Sequence, residues 1–143
     1  MIKPEKILYT AEARVWGGRD GKGETSDGRL SVDLSIPKEL GGPGAAGTNP
    51  EQLFALGYAA CFLSATKLVA RLTKVALPDD ASITAIVGTG RAGEAYALET
   101  ELRVSLPGMD RAQAEEVVKG AHERCPYSNA TRGNMPVKLT VEV

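Results

Sequence analysis

The sequence predicts an α+β domain with antiparallel sheets packed around two helices, one of them long, central and buried. Three observations carry that expectation. Alternating apolar–polar runs come in pairs, the habit of hairpins rather than of βαβ units. Residues 48–74 begin with helix-start signals and stay free of charge from Leu53 to Ala65, with apolar residues on every side, as in a helix buried all round. The 143 residues suit one domain, 1–143, able to bury about two-thirds of its unfolded surface.

Each element follows from its residues. Residues 7–16, ILYTAEARVW, set Tyr9, Ala11, Ala13 and Val15 against Thr10, Glu12 and Arg14, the period of a half-buried strand. Glycines and Asp-Gly pairs in WGGRDGKGETSDG mark a long turn-rich connection carrying Arg19. Residues 30–36 alternate again, and Pro37 ends them. The helix over 50–73 opens with Pro50 at its first position and with Thr48 or Asn49 as cap. Residues 82–93 and 95–106 form a second hairpin, with Leu98, Leu102, Val104 and Leu106 on one face. Asp110 and Gln113 resemble a capping box. Beyond them Ala114, Val117, Val118, Ala121 and Cys125 line one helical stripe. Pro126 disfavours helical geometry at Cys125, so this helix ends there. SNATRGN reads as a short connection, and VKLTVEV as a last strand. The predicted order is β-β-α-β-β-α-β.

Composition excludes several functions. A net charge of −1 and an aromatic content of 5% offer neither a basic face nor a stacking platform for nucleic acid. The first 20 residues hold no signal-peptide core, and Lys67 and Arg71 cut the apolar run short of a membrane span, so no membrane partner and a cytoplasmic setting are expected. Two cysteines and one histidine are too few for the usual four-ligand zinc site, so no metal is expected. GTGRAG at 88–93 matches a dinucleotide fingerprint in letters only, because a strand pattern follows it instead of a helix. Ser64 lies in no nucleophile elbow.

The cysteines stay open on residue type alone. Cys61 is either a space-filling thiol in the small-residue run Tyr58-Ala59-Ala60 or a reactive one. Reactivity needs a thiolate. Burial raises a thiol pKa, and Cys61 lies too far along its helix for the N-terminal dipole to help. A fixed cation is required, and arginine suits it because it is always charged and forked. His122, three residues before Cys125, either pairs with that thiol or is an ordinary surface imidazole. Glu51 is open too, since it fits a capping role at the helix start.

NPEQLFALGYAACF, HERCPYSNATRGN, GGRDG and SDGRL, in this order along nearly the whole chain, resemble organic hydroperoxide resistance proteins, within the wider family of osmotically inducible protein C. The resemblance implies that family's α+β fold, an intertwined homodimer and a metal-free thiol peroxidase with no bound cofactor. It implies that Cys61 attacks the peroxide and becomes a sulfenic acid, that Cys125 condenses with it to a disulfide, and that Arg19 and Glu51 complete the site. It also implies dihydrolipoyl groups (dihydrolipoamide or lipoylated enzymes) as reductant, with organic hydroperoxides as substrates. Leu56 departs from the alanine usual in the family.

Physical reasoning adds two expectations. Glu51 and Cys61 are ten residues apart, about 15 Å along one helix at 1.5 Å per residue, so one arginine cannot easily serve both within a subunit. The site is therefore expected to be composite, with Arg19 and Glu51 of one copy facing Cys61 and Cys125 of the other. A homodimer would also cover the all-round apolar helix, and Phe54, Tyr58 and Phe62 suit an apolar mouth for an organic tail. The competing function is a non-enzymatic dimeric thiol redox sensor.

Overall fold

Short β-forming runs build the first part of the chain, where β1 (Ala13–Trp16), β2 (Lys22–Thr25) and β3 (Ser31–Asp33) form an antiparallel sheet in the order β1-β2-β3. This is seen in a computed structural model that describes all 143 residues and divides into two units, Met1–Leu53 and Phe54–Val143. The predicted strand over 7–16 shrinks to Ala13–Trp16. The predicted long loop contains β2, hidden in the sequence because KGET has no apolar alternation. Gly23 lies between Val15 and Val32, where its missing side chain lets the two valines close over it. β1 and β2 are joined by a 3₁₀ turn, Gly18–Asp20, which carries Arg19. The end of β3 is tied to the approach to the first helix, since Thr48 donates its N–H to Asp33 and Ser35 donates to Thr48, both at 2.9 Å.

Helix α1 runs Pro50–Thr73, the span predicted. Of the two candidate caps, Asn49 takes the role, its Oδ1 accepting the Gln52 N–H at 2.9 Å. The second unit holds most of α1, then β4 (Ser82–Ala92), β5 (Ala95–Ser105), α2 (Arg111–Arg124), α3 (Pro126–Thr131) and β6 (Val137–Glu142). β4 and β5 make the predicted hairpin, with GTGRAG inside β4 and its turn. Asp110 caps α2 by accepting the Gln113 N–H at 3.1 Å.

Two features depart from expectation. The SNAT segment is helical rather than a connection, because Pro126 both ends α2 and starts α3 at a position where proline is welcome. The sheet is mixed rather than antiparallel: β6 pairs with β5 in parallel, and α2 and α3 supply the crossover that a parallel pair requires. The α+β class stands.

The core of this unit lies between the sheet and the helices. Leu102 and Val104 of β5, with Leu106 just past its end, meet Tyr58 and Phe62 of α1, and Ala114, Val118 and Ala121 of α2. Each fully buried large side chain contributes about 1.5–3 kcal/mol. On α1 the buried residues Tyr58, Phe62, Ala65, Thr66, Val69 and Ala70 form one stripe. Leu56 and Leu72 stay 70% and 63% exposed, so one chain does not bury this helix all round. The sheet and α2 occupy one side only. By length and composition α1 is also apolar enough to cross a membrane, with a mean hydropathy of 1.6 over 18 residues, despite Lys67 and Arg71. In this structure its packed stripe belongs to the core.

Candidate functional site

The four candidate residues appear as two pairs, one in each unit. In the first, Arg19 rides on the 3₁₀ turn, which Gly17 and Gly18 enter with left-handed backbone angles of 72° and 62°. Its guanidinium forks onto the Glu51 carboxylate, with Nη1 2.8 Å from Oε2 and Nη2 2.7 Å from Oε1. Such a planar two-bond pairing is the strongest arginine geometry. The arginine holds the Glu51 carboxyl below its ordinary pKa, and Glu51 in turn raises that of Arg19. Glu51 sits in the first turn of α1, where a negative charge also suits the helix dipole. Its carboxylate goes to Arg19, while Asn49 supplies the cap.

In the second unit, Cys61 and Cys125 are both free thiols, with their sulfurs 3.6 Å apart. Cys125 is wholly buried at the junction of α2 and α3, while Cys61 is half-buried on α1. Burial pushes the Cys61 thiol up from its ordinary pKa, as the sequence predicts, and an N–H from Tyr127 partly offsets this. At 3.6 Å the sulfurs are in contact but not bonded, against about 2.05 Å in a disulfide.

Of the three aromatics expected at a mouth, Tyr58 and Phe62 are fully buried in the core. Phe54 is partly buried and packs at 5.9 Å from Tyr127, whose ring is the more exposed. Tyr127 lies across α1 at Gly57, where an added Cβ would stand 2.8 Å from the phenolic oxygen. His122 does not pair with Cys125; its Nδ1 lies 2.9 Å from Ser128 Oγ. No three His, Cys, Asp or Glu side chains converge as a metal site would need.

The family model of OsmC-like proteins matches residues 41–140. The chain belongs to the OsmC-like family. An organic hydroperoxide resistance protein of Xanthomonas axonopodis pv. citri is 53% identical over 141 residues, 99% of each chain. The crystal structure of an organic hydroperoxide resistance protein from Legionella pneumophila superposes with a TM-score of 0.92 at 50% identity, covering 96% of this chain and 100% of that one. For OhrB of Bacillus subtilis the TM-score is 0.87 at 40% identity, covering 95% and 100%. Within this OsmC-like fold, the residues that sequence reasoning missed are Tyr127 and Ser128. The helix that presents them is short, polar and follows a proline, so its sequence resembles a loop. Gly57 was the one available signal for Tyr127, since a glycine inside a long apolar helix marks a close approach.

Proposed function

We propose that this protein is a thiol peroxidase that detoxifies organic hydroperoxides. The observation that carries the proposal is the pair of unbonded thiols 3.6 Å apart, one of them half-exposed and the other buried behind it. The names of the relatives point to the same substrate class.

In the proposed cycle the Cys61 thiolate attacks the terminal oxygen of the hydroperoxide. The O–O bond breaks, an S–O bond forms, and the alkoxide leaves with a proton as alcohol. Cys61 is then a sulfenic acid. Cys125 attacks its sulfur, an S–S bond replaces S–O, and water departs with the Cys125 proton. A dithiol, by family resemblance a dihydrolipoyl group, reduces the disulfide and is itself oxidised to a cyclic disulfide.

The thiolate needs a cation because burial opposes it. Arg19 is the proposed source, and Glu51 orients its fork. The helix rise between Glu51 and Cys61, about 15 Å, favours a composite site in which a second copy supplies Arg19 and Glu51. That copy would also cover the exposed apolar face of α1 around Leu56 and Leu72. Phe54 and Tyr127 would line the approach for the organic tail, each buried CH₂ contributing about 0.8 kcal/mol.

The decisive experiment is steady-state turnover of cumene hydroperoxide with dihydrolipoamide. Wild type is expected to turn over repeatedly, Cys61→Ser not at all, and Cys125→Ser to stall after one equivalent. Activity retained in Cys61→Ser would overturn the mechanism. A single round of oxidation in wild type would identify a redox sensor instead.

A further inference from the structure

A chain of buried hydroxyls and one imidazole joins the two cysteine-bearing elements, and the cycle above makes no use of it. Tyr58 is wholly buried one helical turn before Cys61, and Ser128 is wholly buried three residues after Cys125. Tyr58 Oη lies 2.9 Å from Ser128 Oγ and 3.3 Å from Thr131 Oγ1. His122 Nδ1 reaches the same Ser128 oxygen at 2.9 Å. Thr131 Oγ1 donates to the Ser128 carbonyl at 3.2 Å. The Arg132 guanidinium donates to the His122 carbonyl and to Asn129 Oδ1, closing the corner between α2 and α3.

The protons balance with a neutral imidazole. Tyr58 donates to Ser128, which donates to Nδ1; or Nδ1–H donates to Ser128, which donates to Tyr58, which donates to Thr131. Burial and the nearby Arg132 push His122 below the ordinary imidazole pKa, which keeps it in that neutral form. Ser128 is the hub in both arrangements. Removing it takes the Nδ1 partner from the half-buried His122 and the shorter of its two contacts from the buried Tyr58 hydroxyl.

The geometry matters because the hydrogen bond and the thiol contact are two rungs between the same elements. Tyr58 and Cys61 sit one turn apart on α1. Ser128 and Cys125 sit one turn apart where α3 begins. α3 itself is only six residues long and has no side-chain cap, so little of its own structure resists a swing about Cys125.

Resting on the peroxidase reading of Cys61, we propose that Ser128 and His122 are positioning residues for disulfide closure. They hold Cys125 against Cys61 during the lifetime of the sulfenic acid. Without them closure slows, and a second hydroperoxide oxidises the waiting sulfenic acid to sulfinic acid, itself being reduced to alcohol. The first attack on peroxide does not involve them.

The test is a single-turnover experiment on the reduced full-length protein with cumene hydroperoxide, quenched for mass spectrometry and with dimedone to trap sulfenate. Ser128→Ala and His122→Leu are expected to consume the first equivalent at close to the wild-type rate. Their disulfide formation should be slowed roughly tenfold, the worth of one net hydrogen bond, with a matching rise in trapped sulfenate and in sulfinic Cys61. His122→Asn, which returns a polar atom near Nδ1, should recover closure. Should Ser128→Ala not fold, Tyr58→Phe removes a single oxygen from the same chain and replaces it in the test. Wild-type closure rates in the variants would overturn the positioning role and leave the peroxidase reading intact. Equal slowing of both steps without rescue by asparagine would also overturn it. Failure of wild-type Cys61 to form any sulfenate would bring down the peroxidase reading and this inference together.

Discussion

Arg19 hangs on a turn entered through two left-handed glycines, and its side chain remains 41% exposed even while it grips Glu51. Cys125 has no exposed surface at all and stands between two helices whose partners are locked by buried hydrogen bonds. One pair is held by charge on a short turn entered through glycines; the other is held by packing. The difference would suit the two tasks of the proposed cycle. A cation that activates a thiolate must approach and withdraw as substrate and reductant alternate. A thiol that must intercept a short-lived sulfenic acid has to be waiting in place.

Three measurements sharpen or break this contrast. The largest effect is expected on the packed side. Phe62→Ala empties a fully buried site between α1, β5 and α2 and should cost about 3–5 kcal/mol in urea unfolding. A loss below about 1 kcal/mol would mean that this packing does not hold the thiol pair.

Next comes Arg19→Met, for which stability should stay within about 1 kcal/mol of wild type while the reaction of Cys61 with hydroperoxide slows roughly a hundredfold. Refolding an Arg19→Met, Cys61→Ser mixture should restore turnover, because one site of a mixed dimer would then carry both an intact arginine and an intact thiol. No recovery in a mixture shown to exchange subunits would exclude the shared site.

The smallest effect concerns acid. Arg19 depresses the Glu51 pKa, so the pair contributes its full stability above the ordinary carboxylate pKa and loses it as pH falls through the depressed one. Solvent at the exposed arginine keeps this contribution near or below about 1 kcal/mol. Urea midpoints of wild type and Glu51→Gln should therefore differ slightly at neutral pH and converge as acid protonates Glu51. A gap that widened in acid would contradict the sign.

What the sequence made legible follows from how local each signal is. Asn49, Pro50 and the charge-free run to Ala65 announced α1, and Asp110 with Gln113 announced the start of α2. The β4–β5 hairpin showed itself by the alternation of its second arm, where Leu98, Leu102, Val104 and Leu106 share one face. β2 escaped because Gly23 and its polar neighbours take their place from Val15 and Val32 across the sheet, which no window along the chain displays. α3 escaped because Ser, Asn and Thr are weak helix formers, and the contacts that Ser128 makes with Tyr58 and His122 lie outside its own segment. The parallel pairing of β6 is a property of topology, not of its alternating residues. At the site, family resemblance pointed to Cys61, Cys125, Arg19 and Glu51, and the structure places them as two pairs, the thiols 3.6 Å apart and the arginine forked onto the glutamate. A single chain covers α1 on one side only and leaves Leu56 and Leu72 exposed, the face that the sequence reading assigns to a second copy.

The separation of 64 residues between the two cysteines has a thermodynamic consequence. A bond between them would be a cross-link across nearly half the polymer. By loop-entropy accounting it would cost the unfolded chain about 4 kcal/mol of conformational freedom, provided the folded geometry accepts it without strain. Redox state and melting temperature would then report on one another: each round of peroxide reduction would toughen the fold, and each reduction would loosen it again. The oxidised protein awaiting its reductant would be the form most resistant to heat and to proteases.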